Sequence, residues 1–146
     1  MYDIEKVKRL RSIANSGEIY DSCDADLIAW YHECAERITR YNATPDTDEG
    51  MAERDAILKE AAGTYGDGLY IIPPIYANCG LANVHFGKNV IINFNANIVD
   101  DGDIFIGDDV MIGPNVKIAA ACHPVSPKLR KHKLQYNKSV HIGNNV

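Results

Sequence analysis

The chain has 146 residues, 46% of them apolar, which is the size of one domain with enough apolar content for a soluble core. No window approaches the roughly 18 uninterrupted apolar residues of a membrane span, and the N-terminal MYDIEKVKRLRS reads as a charged helix rather than a signal sequence; a cytoplasmic protein without membrane contact is expected. The net charge of -5 argues against nucleic acid as a partner, although residues 1–79 carry 8 basic and 15 acidic groups and residues 80–146 carry 7 and 5.

In chain order, Ile4, Val7, Leu10 and Ile13 draw an apolar stripe that predicts a helix over residues 3–14. A second helix is expected from Asp24 to about Tyr41, with acids in its first turn and arginines in its last. A third follows Pro45, with a capping box from Asp46 to Glu49 and a stop at Gly63. Three short helices bury little alone, so residues 1–62 are read as a cap on the remainder, 63–146. The cysteines Cys23, Cys34, Cys79 and Cys122 lie far apart without a Cys-x-x-Cys pair, which indicates neither a zinc ribbon nor a disulfide framework.

From YGDGLYIIPP onward Gly, Pro, Asn and Asp punctuate the chain, and a six-residue beat begins. Phe86, Ile92 and Ile98 are spaced by six; after a two-residue slip at Asp101–Gly102, Ile106, Ile112 and Ile118 resume it, and Ile142 lies four beats further on. Glycine often follows the aliphatic (Gly87, Gly107, Gly113, Gly143), and a small or branched residue often stands four places after it (Val90, Ala96, Val110, Val116, Val146). A repeat of this length predicts a β-helix, three flat faces to a coil with the aliphatics stacked inside. Glycine or asparagine is expected at the corners, where a Cβ resists tight turning. Ordinary sandwich strands would be spaced less regularly.

The segments YDSCDADL, PPIYANCG, INFNANIVDDGDIFIGDDVMIGPNVKI, HPVSP and SVHIGNNV together resemble the maltose/galactoside O-acetyltransferases, which are hexapeptide-repeat acyltransferases. The resemblance covers nearly the whole chain. It implies a mainly β fold, a left-handed parallel β-helix behind a small α-helical cap, and acetyl transfer from acetyl-CoA to a sugar hydroxyl in a homotrimer, without a metal. It also implies that His123 is the general base and that Asp21, Asn78, Asn93 and Asp101 contact the acceptor. Asn78 stands where the family varies. The chain stops at IGNNV, where relatives continue through further coils that supply much of the CoA wall; a C-terminally truncated piece is the expectation, with the CoA contacts mostly beyond residue 146.

The residues support that chemistry independently. A sugar hydroxyl is a very weak acid, and an imidazole with an ordinary pKa of about 6.5 takes its proton readily near neutrality. His123 opens HPVSPKLRKHKLQYNKSV, a long excursion between Ile118 and the next beat, and long loops without structure of their own tend to be functional. Three other readings stand beside it. Cys122 next to His123 suggests a nucleophilic dyad, though neighbours on an extended chain point to opposite faces. His85, His123 and His141 suggest a zinc-dependent β-helix enzyme of carbonic-anhydrase type. A non-catalytic trimeric assembly module is the third. The basic run 128–138 is either a solvated loop or a contact for the CoA phosphates.

Overall fold

A computed structural model describes residues 1–146. Helix α1 (Ile4–Ser16) begins at Asp3, whose carboxylate accepts the backbone N–H of Glu5 and Lys6. It ends at Gly17, which adopts a left-handed conformation at φ 82°. A two-residue strand, β1 (Tyr20–Asp21), follows. Helix α2 (Ala25–Ala43) is capped by the carboxylate of Asp24, and α3 (Asp48–Ala61) by Thr47. The cap of α3 therefore forms one residue later than the box expected from Asp46 to Glu49. Thr47 Oγ1 accepts the Gly50 N–H at 3.2 Å, and Asp46 instead accepts Arg54 Nη1 at 3.2 Å.

Helix α2 buries Leu27, Trp30, Cys34, Ile38 and Tyr41, one stripe at helical spacing. The stripe divides along its length. Leu27, Trp30 and Cys34 pack with Val7, Ala14, Tyr20 and Cys79, whereas Ile38 and Tyr41 join Ile57 and Leu58 of α3 on the coil interior. The helices also close the exposed end of the first coil. Tyr41 Oη donates to the Ile71 carbonyl at 2.6 Å, and the Asn42 side chain exchanges two hydrogen bonds with the backbone of Ile75. Open strand edges otherwise invite pairing with other chains.

The strands that follow are β2 (Tyr70–Ile71), β3 (Ile75–Ala77), β4 (Val84–Phe86), β5 (Ile91–Ile92), β6 (Ala96–Val99), β7 (Ile104–Ile106), β8 (Met111–Ile112) and β9 (Lys117–Ala119). Then come β10 (Ala121–Cys122), a helical turn α4 (Pro127–Arg130), β11 (Leu134–Asn137) and β12 (Val140–Ile142). Three parallel sheets, β4–β7–β12, β2–β5–β8 and β3–β6–β9, form the faces of the β-helix. In register, Phe86 stacks with Ile106 and Ile142, Ile71 with Ile92 and Ile112, and Ala77 with Ile98 and Ile118. The six-residue beat is thus the coil interior. An earlier coil, which stacks Tyr65, Ile71 and Ala77 on the same three interior rows, precedes the beat read from the sequence.

The corners bear out the expected asparagine more than the expected glycine. The left-handed positions belong to Asn89, Asp109 and Asn145 at one corner and to Asn95 and Asn115 at the next, with φ between 54° and 61°; Asn and Asp tolerate that region better than other residues with a Cβ. Two of the four repeat glycines, Gly87 and Gly107, together with Gly66 before them, serve close stacking instead. A Cβ on Gly66 would lie 1.8 Å from the Gly87 carbonyl oxygen, one on Gly87 2.6 Å from the Gly107 carbonyl carbon, and one on Gly107 2.8 Å from that of Gly143. Gly113 and Gly143 have open space around them. No helix is long and apolar enough to cross a membrane.

The third corner is irregular in every coil. Between β3 and β4 it holds residues 78–83, between β6 and β7 residues 100–103, and between β9 and β12 the whole excursion that carries His123. Three insertions therefore stack on one edge of an otherwise regular prism.

Candidate active site

The excursion after β9 is folded rather than structureless. Strands β10 and β11 pair antiparallel, Ala121 opposite Asn137 and Cys122 opposite Tyr136. The other edge of β11 is taken by β1 from between the helices, Tyr20 opposite Gln135 and Asp21 opposite Leu134. A hairpin is thereby held between the coil and the cap.

His123 is the first residue past β10 and is exposed. Its Nδ1 lies 2.8 Å from the carbonyl oxygen of Leu134. A carbonyl only accepts, so Nδ1 carries the proton and donates, which leaves the Nε2 lone pair free. Asp21 sits directly across the ladder from that same Leu134 and is also exposed, its Oδ1 accepting the Cys23 N–H at 2.9 Å. The hairpin thus places Asp21 and His123 around one residue of β11.

Asp101 lies at the same corner, one coil below. It is only 7% exposed, and its carboxylate accepts from Tyr31 Oη at 3.3 Å, Gln135 Nε2 at 3.1 Å and Asn78 Nδ2 at 3.0 Å. Asn78 is exposed and forms the outward end of this set. Behind it lies a polar group that the sequence reading did not single out. Gln135 Nε2 is also 2.7 Å from Tyr20 Oη, and Asn137 Nδ2 donates to the Asp101 carbonyl at 2.9 Å. Burial pushes the Tyr20 hydroxyl up to about 12 and that of Tyr31 well above its usual range, so both remain protonated. The neighbouring Asp100 is fully buried. Its Oδ1 accepts the Cys79 N–H at 2.8 Å, its Oδ2 has no partner, and burial raises its carboxyl to about 6.

Asn93 is not brought to this corner within one chain. It follows β5, and the face built from β6 separates it from the hairpin, about 13 Å for four residues at ~3.3 Å each. Its Oδ1 accepts the N–H of adjacent Phe94. Cys122 makes no hydrogen bond to the imidazole beside it, and its place on extended β10 turns the two side chains apart. His85 and His141 stack on opposite faces of Phe105, with centroids 4.6 and 4.7 Å apart, so the three histidines do not converge within one chain. Lys128, Arg130, Lys131, Lys133 and Lys138 are exposed on the hairpin.

Comparison with known proteins agrees with this architecture. Residues 14–66 match the family described as the maltose acetyltransferase hexapeptide capping motif. The galactoside O-acetyltransferase of Lactococcus lactis is 42% identical over 146 residues, which is 100% of this chain and 68% of that protein. That of Escherichia coli is 43% identical over 96 residues, 66% of this chain and 47% of that protein. Among solved structures, the maltose O-acetyltransferase of Clostridium difficile superposes with a TM-score of 0.87 at 30% identity, covering 93% of this chain and 71% of that one. A galactoside acetyltransferase in complex with coenzyme A gives 0.84 at 31% identity, covering 93% and 66%. The fold and its relatives define a hexapeptide-repeat acetyltransferase. The chain belongs to the galactoside and maltose O-acetyltransferase family, and it spans from about half to about two thirds of the length of these relatives.

Proposed function

We propose that this chain is an acetyl-CoA-dependent sugar O-acetyltransferase, with His123 as general base. The observation that carries the reading is the hydrogen bond from His123 Nδ1 to the Leu134 carbonyl, which leaves Nε2 as the free base on an exposed hairpin. The sugar hydroxyl oxygen attacks the thioester carbonyl carbon while Nε2 takes its proton. The tetrahedral intermediate then collapses, the C–S bond breaks, and the CoA sulfur receives the proton from Nε2. Acetyl ester and free CoA leave, and the imidazole is neutral again. No acyl-enzyme is needed, because CoA presents an activated acyl group.

Asp21 and Asn78, both exposed beside the hairpin, are proposed to meet the acceptor directly. Asp101, with three internal donors on its carboxylate, orients Asn78 and presents the little carboxylate edge that remains. Asn93 fits the same site if copies assemble as a homotrimer with sites between neighbouring coils, so that its corner in one copy faces the hairpin of the next. Residues 1–62 act as the cap that supplies Asp21 and closes the coil, in a cytoplasmic enzyme that needs no metal.

The test is acceptor-dependent release of CoA thiol from acetyl-CoA, measured over a panel of galactosides, maltose, glucose and amino sugars. Thiol release that rises with at least one sugar, together with an acetylated product of the right mass, is expected. Release that no sugar accelerates overturns the reading.

A further inference from the structure

We propose that Gln135 is a positioning residue that ties the base His123 to the acceptor-side carboxylate of Asp101, an inference that rests on the acetyl-transfer reading above. Two consecutive residues of β11 face two different partners. The Leu134 backbone carbonyl receives the His123 Nδ1 proton at 2.8 Å, and the Gln135 side chain reaches Asp101 Oδ1 at 3.1 Å. Adjacent residues on a strand are rigidly spaced, so fixing one side chain fixes the neighbouring carbonyl.

Gln135 is 5% exposed, and its Nε2 shares two hydrogens among three oxygens: Tyr20 Oη at 2.7 Å, Asp101 Oδ1 at 3.1 Å and Asn137 Oδ1 at 3.1 Å. Asn137 Nδ2 closes the group by donating to Tyr20 Oη at 3.3 Å and to the Asp101 carbonyl at 2.9 Å. Three separate pieces of chain therefore meet on one amide: the cap through Tyr20, the coil corner through Asp101, and the hairpin through Gln135 itself. Asn137 joins the same three pieces through Tyr20 Oη and the Asp101 backbone carbonyl, but only Gln135 brings the hairpin to the Asp101 carboxylate. The only other side chains that reach Asp101's carboxylate come from Tyr31 in the cap and Asn78 on the preceding coil, and neither belongs to the hairpin.

The chemistry calls for an amide here. The carboxylate of Asp101 needs donors, and a neutral N–H₂ supplies them without introducing a charge into a buried site. A carboxylate at position 135 would face Asp101 as a like charge, and one of the two would then hold a proton. That gives the residue a signature that general loss of packing does not share.

The experiment uses the full chain and two variants, with acetyl-CoA and the best sugar of the panel above. Gln135→Met keeps the length and removes the donors; turnover is expected to fall roughly 10- to 100-fold, less than the roughly 100- to 10,000-fold that losing the base itself costs, with the KM for acetyl-CoA unchanged. Gln135→Glu restores a donor only while protonated. Its deficit against wild type is expected to be small near pH 6 and to grow to about 10-fold or more by pH 8.5. A deficit in Gln135→Glu that does not vary with pH, or wild-type turnover in Gln135→Met, overturns the proposal. If Gln135→Met fails to fold, the pH dependence of Gln135→Glu decides alone. A readout free of activity separates this proposal from the one beneath it: in ¹⁵N NMR, His123 is expected to hold the Nδ1–H tautomer in wild type and to exchange between tautomers in Gln135→Met. An imidazole spectrum unaltered by the substitution contradicts the link even if the protein acetylates no sugar at all.

Discussion

The two regular corners of the β-helix and the third, irregular one are built on opposite principles. At the regular corners and on the faces, stability comes from repeated, nearly independent contacts: an interior aliphatic per face, an Asn or Asp in the left-handed region, and a glycine wherever coils approach too closely for a Cβ. At the irregular corner the contacts are polar, buried and mutually dependent, and they join residues as far apart as Tyr20 and Asn137. The first arrangement makes a stiff scaffold that tolerates one weak coil, because each coil contacts only its neighbours. The second holds several side chains in one geometry, and each loses its partner if another moves. The proposed site lies where the repeat is broken.

That contrast sets an order of expected effects. Ile98 is 1% exposed in the coil interior, stacked between Ala77 and Ile118. Ile98→Ala should cost about 4 kcal/mol, a fall in Tm of roughly 10 °C, while the KM values of the protein still folded stay near wild type. A large shift in KM for the sugar would show that scaffold and site are not separable.

Asp101→Ala strands three donors at the irregular corner and should cost roughly 3 kcal/mol of stability. Here the KM for sugar should rise more than that for acetyl-CoA. An equal change in both would mark a general folding defect and blur the distinction between the two regions.

Asp100, whose carboxyl burial raises to about 6, contributes through pH. Its folded pKa lies above the unfolded value of 3.8, so its contribution favours folding in full below about pH 4 and is lost as pH rises through about 6. The penalty at neutral pH is of order 2–3 kcal/mol. The Tm of wild type should therefore drop more between pH 5 and pH 7.5 than that of Asp100→Asn. Parallel pH dependence in the two would contradict an ionising carboxylate at that site.

The smallest effects separate two kinds of glycine. A Cβ on Gly107 would meet the next coil, including Asn144 Oδ1 at 2.3 Å, so Gly107→Ala should cost about 1–3 kcal/mol. Gly113→Ala, with open space around it, should stay within about 0.5 kcal/mol. Thermal melts of the pair settle whether glycine in this repeat is there for packing.

The same contrast explains what was legible in the sequence. Phe86, Ile92, Ile98, Ile106, Ile112, Ile118 and Ile142 announce the coils because a stacked interior demands the same residue type at a fixed interval. The first coil was hidden although Tyr65, Ile71 and Ala77 keep the six-residue spacing: a tyrosine and an alanine stand in two of its three stacking positions, and six corner residues, 78–83, interrupt the count. His123 stood out as the residue at which the repeat stops. The hairpin did not, because β1 is two residues long and its partner lies more than a hundred residues away, a pairing no local period records. Gln135 and Asn137 leave only an alternation of polar side chains, which reads the same whether it faces water or, as here, a buried carboxylate. Nor does any sequence pattern separate Asn93, on a different corner, from the residues around the hairpin.

On the proposed reading, the irregular corner is a catalytic site worked by the free Nε2 of His123. Steady-state acetyl transfer by His123→Ala tests it most directly. Turnover at least about 100-fold below wild type is expected, with the Kd for acetyl-CoA and the Tm nearly unchanged, and turnover close to wild type in a folded His123→Ala protein would contradict that role.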